Sequence, residues 1–143
     1  MTLSVGLHEQ SDAATEAALI RLWTECGLTR PWNDPEQDIR RAAAHPSAAV
    51  LTLRDGDTLV ASAMVGDDGH RGVVYYVAVD PARQGDGLGR HIMAAAEAWL
   101  AERGVPKLNL VVRDDNAAVR GFYEALGYAV EERLNLAKRL PRG

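Results

Sequence analysis

The chain has 143 residues, a formal net charge of −4, 47% apolar residues and 25% charged ones. This balance suits one globular domain and argues against a general nucleic-acid binder, which displays a basic patch. A single cysteine, Cys26, excludes an intrachain disulfide and a cysteine-based metal site.

Leu3, Val5 and Leu7 alternate with Ser4 and Gly6, which predicts a first strand. Glu9-Gln10 follow where a secretory signal would stay apolar. Asp12 is placed to cap a helix running to about Cys26, with Leu19, Ile20, Trp23 and Cys26 on one face and Gly27 as its stop. On that face the Cys26 thiol is expected to be buried. A polar loop, Thr29-Arg30-Pro31-Trp32-Asn33, leads to a second helix with Asp34 as cap, Pro35 in the first turn and Gln37 at the capping-box spacing. His45-Pro46 ends it after Ala44. Two strands follow, at 48–53 and 59–65, joined at Asp55-Gly56-Asp57. After a polar stretch, residues 73–79 are apolar on both faces, the pattern of a central buried strand.

A glycine-rich turn then opens a helix to about Arg103, in which Leu88, Ile92, Ala95, Ala96 and Trp99 recur at three- and four-residue steps. Gly104 and Pro106 end it. A strand is expected at 108–112, a helix at 116–126 capped by Asp115, and a closing antiparallel pair at 128–133 and 134–140. Lys138, Arg139 and Arg142 are expected on a solvated edge. The segment 73–112 is a βαβ unit, which requires two parallel strands and a right-handed crossover. The order is therefore βααβββαβαββ, an α/β (α+β) class with a mixed central sheet. The apolar stretch at 92–100 is short and holds Glu97, so no membrane span is expected and the cytoplasm is the simplest compartment.

The glycine-rich turn carries the chemistry. It reads Val77-Ala78-Val79-Asp80-Pro81-Ala82-Arg83-Gln84-Gly85-Asp86-Gly87-Leu88-Gly89-Arg90. Glycines at a helix start leave the first-turn N–H groups bare, and these together with the positive end of the helix dipole bind anions. Arg83 and Arg90 flank the turn with positive charge, so a phosphate or pyrophosphate is the expected ligand. A P-loop is excluded, because Gly89 is followed by Arg90-His91 rather than Lys and a hydroxyl residue. The spacing G-x-G-x-G also departs from the dinucleotide fingerprint G-x-G-x-x-G. This makes a kinase or a dehydrogenase a distant reading.

A second motif lies downstream: Asn116-Ala117-Ala118-Val119-Arg120-Gly121-Phe122-Tyr123-Glu124-Ala125-Leu126-Gly127-Tyr128. Gln84, Gly87 and Gly89 meet the pattern Gln/Arg-x-x-Gly-x-Gly/Ala, and an Asn opens a helix with a Tyr seven residues on. In this order and separation, over about residues 73–130, the chain resembles the GNAT (GCN5-related) N-acetyltransferases. That resemblance implies the GNAT fold, with the two parallel central strands splayed apart. It implies acetyl-CoA as co-substrate and no metal. The pantetheine arm would pair with the backbone of Val77, Ala78 and Val79. The pyrophosphate would sit on Gln84, Gly85, Asp86, Gly87, Leu88, Gly89 and Arg90. Asn116 and Tyr123 would face the pantetheine and the thiol. Taken alone, Asn116 suits a helix start and Tyr123 a core position.

The reaction implied is direct attack of an amine on the thioester carbonyl, with a backbone N–H near Val77 stabilising the oxyanion. Tyr123 would protonate the departing thiolate, since a phenol near 10 is protonated at neutral pH and a thiol leaves near 8.5. A lysine-like amine must first lose a proton, at about 4–5 kcal/mol at pH 7, against about 1 for an α-amino group. Candidates for the base are His70 and Asp68, in the loop before the 73–79 strand. Trp32, Asn33, Tyr75 and Tyr76 are candidates for the acceptor side. Tyr75 and Tyr76 should point to opposite faces, leaving only one of them on it. Where protein N-terminal acetyltransferases of the family carry a Glu, five residues before the Asn, this chain has Val111. The expected partner is a small-molecule or peptide amine, with no nucleic acid and no membrane, and a homodimer is compatible with the sequence. The alternative from another class is an acyl-CoA-binding sensor of the same fold without turnover. His8, His45, His70 and His91 show no paired metal-ligand spacing.

Overall fold

The structure is a computed structural model and describes residues 1–141. Arg142, expected on a basic edge, lies outside the described residues. The chain forms two compact units, 1–110 and a second that begins at Val111.

The first unit holds a five-stranded mixed sheet in the order β1-β2-β3-β4-β5. Strands β1 (Leu3–Leu7), β2 (Ala48–Asp55), β3 (Thr58–Asp67) and β4 (Gly72–Val79) pair antiparallel in sequence, and β5 (Leu108–Asn109) pairs parallel with β4. The two-residue turn Gly56-Asp57 joins β2 to β3, as the local sequence predicts. Helix α1 (Ala13–Glu25) starts at Asp12, whose carboxylate accepts from the Thr15 N–H at 3.0 Å and the Thr15 hydroxyl at 2.6 Å. Helix α2 (Pro35–Ala44) starts at Asp34, which accepts from the Gln37 N–H at 3.1 Å. Such caps contribute about 1 kcal/mol each, because they pair donors the helix itself cannot.

Leu19, Leu22 and Trp23 of α1 and Ile39 and Ala42 of α2 pack with Val50 and Ala78 on one face of the sheet. Leu51, Leu53, Ala61, Ala63 and Val65 are buried at the alternate positions, which face the other side. Helix α3 (Leu88–Glu102) contacts β2, β3 and β4 and buries Leu88, Ile92, Met93, Ala96, Trp99 and Leu100. Burying a large side chain of this kind contributes about 1.5–3 kcal/mol, so Ile92→Ala should cost about 2–5 kcal/mol once the cavity term is added.

Several expectations are corrected. A 3₁₀ turn, Pro81–Arg83, precedes the glycine loop, started by Asp80 accepting from the Ala82 N–H at 3.0 Å. Strand β5 ends at Asn109 instead of residue 112, because its pairing with β4 covers only Gly72 and Val73. Beyond Val73, β4 has no strand on that side among the described residues. In the second unit, helix α4 (Ala117–Ala125) is capped by Asn116 and not by Asp115: the Asn116 Oδ1 accepts from the Val119 N–H at 3.2 Å. The pair expected at 128–133 and 134–140 is absent. Residues 128–141 contain no strand, and Leu134, Leu136 and Leu140 stay exposed. Alternation alone does not make a strand without a partner to complete the ladder.

Candidate functional site

Each helix start but one among the described residues is closed by a side chain: Asp12, Asp34, Asp80 and Asn116 all accept from a first-turn N–H. Helix α3 is different. Its N-cap is Gly87, in the left-handed region at φ 76°, with no side-chain cap. Gly85 is also left-handed at φ 93°. A Cβ added at either position would meet nothing within 4 Å. The glycines are therefore required by backbone conformation, and the space over them is open. The first hydrogen bond of the helix runs from the His91 N–H to the Gly87 carbonyl at 3.1 Å, so the N–H groups of Leu88, Gly89 and Arg90 lie ahead of the ladder.

Gln84, Asp86 and Arg90 are exposed around this start. Arg83 is not part of its positive flank. Its guanidinium pairs with Asp55 at 2.6 Å and holds that carboxyl below the usual range. This partner lies 28 residues away in the chain and gives no local signal.

Strand β4 leads into the loop and is bulged. Tyr75 pairs with Met64 and Ala78 with Ser62, so Tyr76 and Val77 together oppose Ala63. Tyr76 carries the strain, with φ 51°, a conformation disfavoured by roughly 1–2 kcal/mol outside glycine. Ala78 is buried in the core, while Val77 and Val79 are half-buried. The Val79 carbonyl accepts from the Cys26 Sγ–H at 3.1 Å. Cys26 is half-buried rather than fully buried, and desolvation pushes its thiol up.

The bulge also corrects the expected alternation. Tyr75 and Tyr76 both line one groove of about 860 Å³, together with Asn33, Asp38, Asp67 and Asp68. Trp32 is not among its lining residues and is about half exposed. Asp38, which sequence reasoning missed, accepts from the Tyr76 hydroxyl at 2.7 Å. Burial and this carboxylate hold the Tyr76 phenol well above its ordinary value. A helical Asp beside a Pro-Glu-Gln start carries no signal of its own, since it also suits a first turn.

Asp68 and His70 lie at the tip of the β3–β4 connection, exposed. The Asp68 Oδ1 accepts from the Arg71 N–H at 2.7 Å and the His70 N–H at 2.8 Å, which holds the carboxyl below its ordinary range. Asp68 therefore ties the turn that carries His70, which is not among the lining residues of the groove and whose Nδ1 lies 3.4 Å from the Arg71 guanidinium. In the second unit Tyr123 is buried and meets the rings of Phe122 and Tyr128 edge-on, at 5.0 and 5.7 Å. Burial raises its phenol, which keeps the proton on the oxygen at neutral pH. Asn116 has its side-chain oxygen engaged in the cap, leaving the amide nitrogen as the free group.

No helix is long and apolar enough to cross a membrane, and no group of three or more metal-ligating side chains occurs, both among the described residues.

The pattern of the Acetyltransferase (GNAT) family matches residues 17–128. The chain belongs to the GNAT acetyltransferase family. An acetyltransferase of Yersinia pestis (strain Pestoides F) is 46% identical over 122 residues, spanning 85% of this chain and 86% of that protein. An acetyltransferase of Yersinia enterocolitica is 42% identical over 138 residues, 96% of each chain. Among solved structures, AAC(6')-Iy in complex with the bisubstrate analogue CoA-S-monomethyl-acetylneamine superposes with a TM-score of 0.83 at 13% identity, covering 99% of this chain and 100% of that one. The ribosomal-protein-S18-alanine N-acetyltransferase of Escherichia coli gives 0.73 at 24% identity, covering 88% and 77%. These likenesses show a GNAT fold.

Proposed function

We propose that this GNAT protein transfers the acetyl group of acetyl-CoA to a primary amine of a small molecule or peptide. The observation that carries the reading is the open start of α3. Its first-turn donors have no side-chain cap, and Gly85 and Gly87 leave the approach clear. Those features fit a pyrophosphate, which takes several converging N–H groups. Gln84, Asp86 and Arg90 border it, and the unpaired edge of β4 at Val77–Val79 fits the amide-bearing pantetheine arm. AAC(6')-Iy, a neighbour in fold, was solved with a CoA-containing analogue, which supports the same co-substrate here.

In the reaction the amine nitrogen bonds to the acetyl carbon and the carbon–sulfur bond breaks. The amine loses a proton, and the thiolate gains one. Tyr123 supplies the proton to sulfur, because its raised phenol remains protonated. A positioned acid of this kind is worth about 10²–10⁴-fold. His70 takes the amine proton, with Asp68 fixing its turn. Asn33, Tyr75 and Tyr76 form the acceptor groove, and Asn116 contributes its amide N–H to the pantetheine.

Thiol release from acetyl-CoA with a panel of amines tests this directly. Amine-dependent release is expected. Binding of acetyl-CoA without release for polyamines, amino acids, aminoglycosides and peptide N-termini would leave the sensor reading in its place.

A further inference from the structure

The residue the sequence did not reveal, Asp38, lines the groove and is held there by a side chain rather than by backbone. The neighbouring carboxylates are already engaged by backbone. Asp67 accepts from the Gly69 N–H at 2.8 Å, and Asp68 from the N–H groups of His70 and Arg71. Asp38 instead projects from a helix and is oriented by one donor, the Tyr76 hydroxyl at 2.7 Å. That donor is itself fixed from behind. The Tyr76 ring stacks on Trp23 at 3.8 Å with 5° between planes. The Trp23 Nε1–H donates to Ser62 Oγ at 2.8 Å, and Ser62 Oγ–H donates to the Tyr76 carbonyl at 3.1 Å. This chain of contacts holds Tyr76 at its left-handed φ. A strained backbone persists only where the surroundings over-determine it, and such residues gather at ligand sites.

The carboxylate has two oxygens, and the Tyr76 hydroxyl takes Oδ2. Among the described residues no Lys or Arg stands within ion-pair distance of Asp38, although Arg41 and His45 also line the groove. Tyr75, 57% exposed, adds an aromatic face to the same wall, a surface that attracts cations. Resting on the acceptor reading of this groove, we infer that Asp38, positioned by Tyr76, is the specificity residue that receives a second, non-reacting ammonium group of the acceptor. The groove is then selective for diamines and polyamines over amines with an uncharged tail.

The test compares butane-1,4-diamine with butylamine on the intact protein. Calorimetric binding is measured in the presence of CoA, and initial rates in the presence of acetyl-CoA. Wild-type protein should favour the diamine about 10–100-fold, the range for one charge-assisted hydrogen bond. Asp38→Asn, nearly isosteric, should remove most of that preference through binding and KM, leaving the acetyl-CoA KM unchanged. Tyr76→Phe should lose a smaller part in the same direction, since it removes the orienting donor and keeps the stacked ring. An undiminished diamine preference in Asp38→Asn, or equal affinity of wild-type protein for the two amines, overturns the assignment. Failure of acetyl-CoA turnover with every amine would count against the transferase reading alone, because the calorimetric comparison needs no turnover.

Discussion

Helices α2 and α3 start in opposite ways, one closed by a side chain and the other left open. Asp34 closes the start of α2 with a hydrogen bond to the Gln37 N–H, and Pro35 removes one donor outright. At α3 the equivalent position is Gly87, with neither a side chain nor a cap. A glycine at the cap forgoes only a few tenths of a kcal/mol, about 0.3, relative to Asp, and two left-handed glycines add unfolded-state entropy to that cost. The α2 start contributes to stability. In the proposed function the α3 start serves binding.

The largest expected effect lies outside both helix starts and separates chemistry from binding. Tyr123→Phe keeps the ring and its edge contacts but removes the hydroxyl. Turnover should fall about 10²-fold or more, while acetyl-CoA affinity changes by no more than one neutral hydrogen bond allows. The loss should shrink with an acyl donor whose leaving thiol has a lower pKa. A merely structural tyrosine would lower the melting temperature and leave turnover per folded molecule intact.

Next comes the loop. Gly87→Val should weaken acetyl-CoA binding about 10–100-fold, because a branched Cβ enters the space left for a charge-assisted contact. The same branch is strained at φ 76°, so Gly87→Asn, which tolerates that region, is the cleaner variant. Titration calorimetry should show weaker binding for both and a lowered melting temperature for valine only. If both fold and bind as the wild type does, the open start is structural.

The reciprocal change is smaller. Asp34→Ala should cost about 1 kcal/mol in a denaturant titration and leave the acetyl-CoA Kd alone. A cap variant that also impaired binding would erase the distinction between the two starts.

Acid has the mildest effect. Asp12, Asp55 and Asp68 are all held below the ordinary carboxylate range, by Thr15, by Arg83 and by the Arg71 and His70 backbone respectively. A depressed carboxyl stabilises the folded state above its unfolded pKa and loses that contribution as it protonates. These three carboxylates should therefore lower the melting temperature only as the pH falls below about 4. Asp55→Asn should flatten part of the fall.

The legible parts of the fold were those with local causes. Caps at Asp12 and Asp34, the turn at Gly56-Asp57 and the spacing of Leu88, Ile92, Ala96 and Trp99 each act within a few residues. Local chemistry chose wrongly where two neighbours share it: Asp115 and Asn116 are both good caps, and only the backbone geometry selects Asn116. The remaining misses have distant causes. The bulge at Tyr76 depends on Trp23 and Ser62, and it turned two residues expected on opposite faces into lining of one groove. Arg83 looked like a phosphate ligand until Asp55 claimed it. The leucines at 134, 136 and 140 alternate as a strand would, but a ladder requires a partner that no local pattern supplies.

The most direct measurement is the melting temperature of the wild-type protein with saturating acetyl-CoA and with S-acetylpantetheine, which keeps the thioester and lacks the pyrophosphate. A ligand that binds only the folded state stabilises it by mass action. Strong protection by acetyl-CoA and little by S-acetylpantetheine, with the difference reduced in Gly87→Asn, is the result expected of a pyrophosphate held on the open start of α3. Equal protection by the two compounds would contradict it.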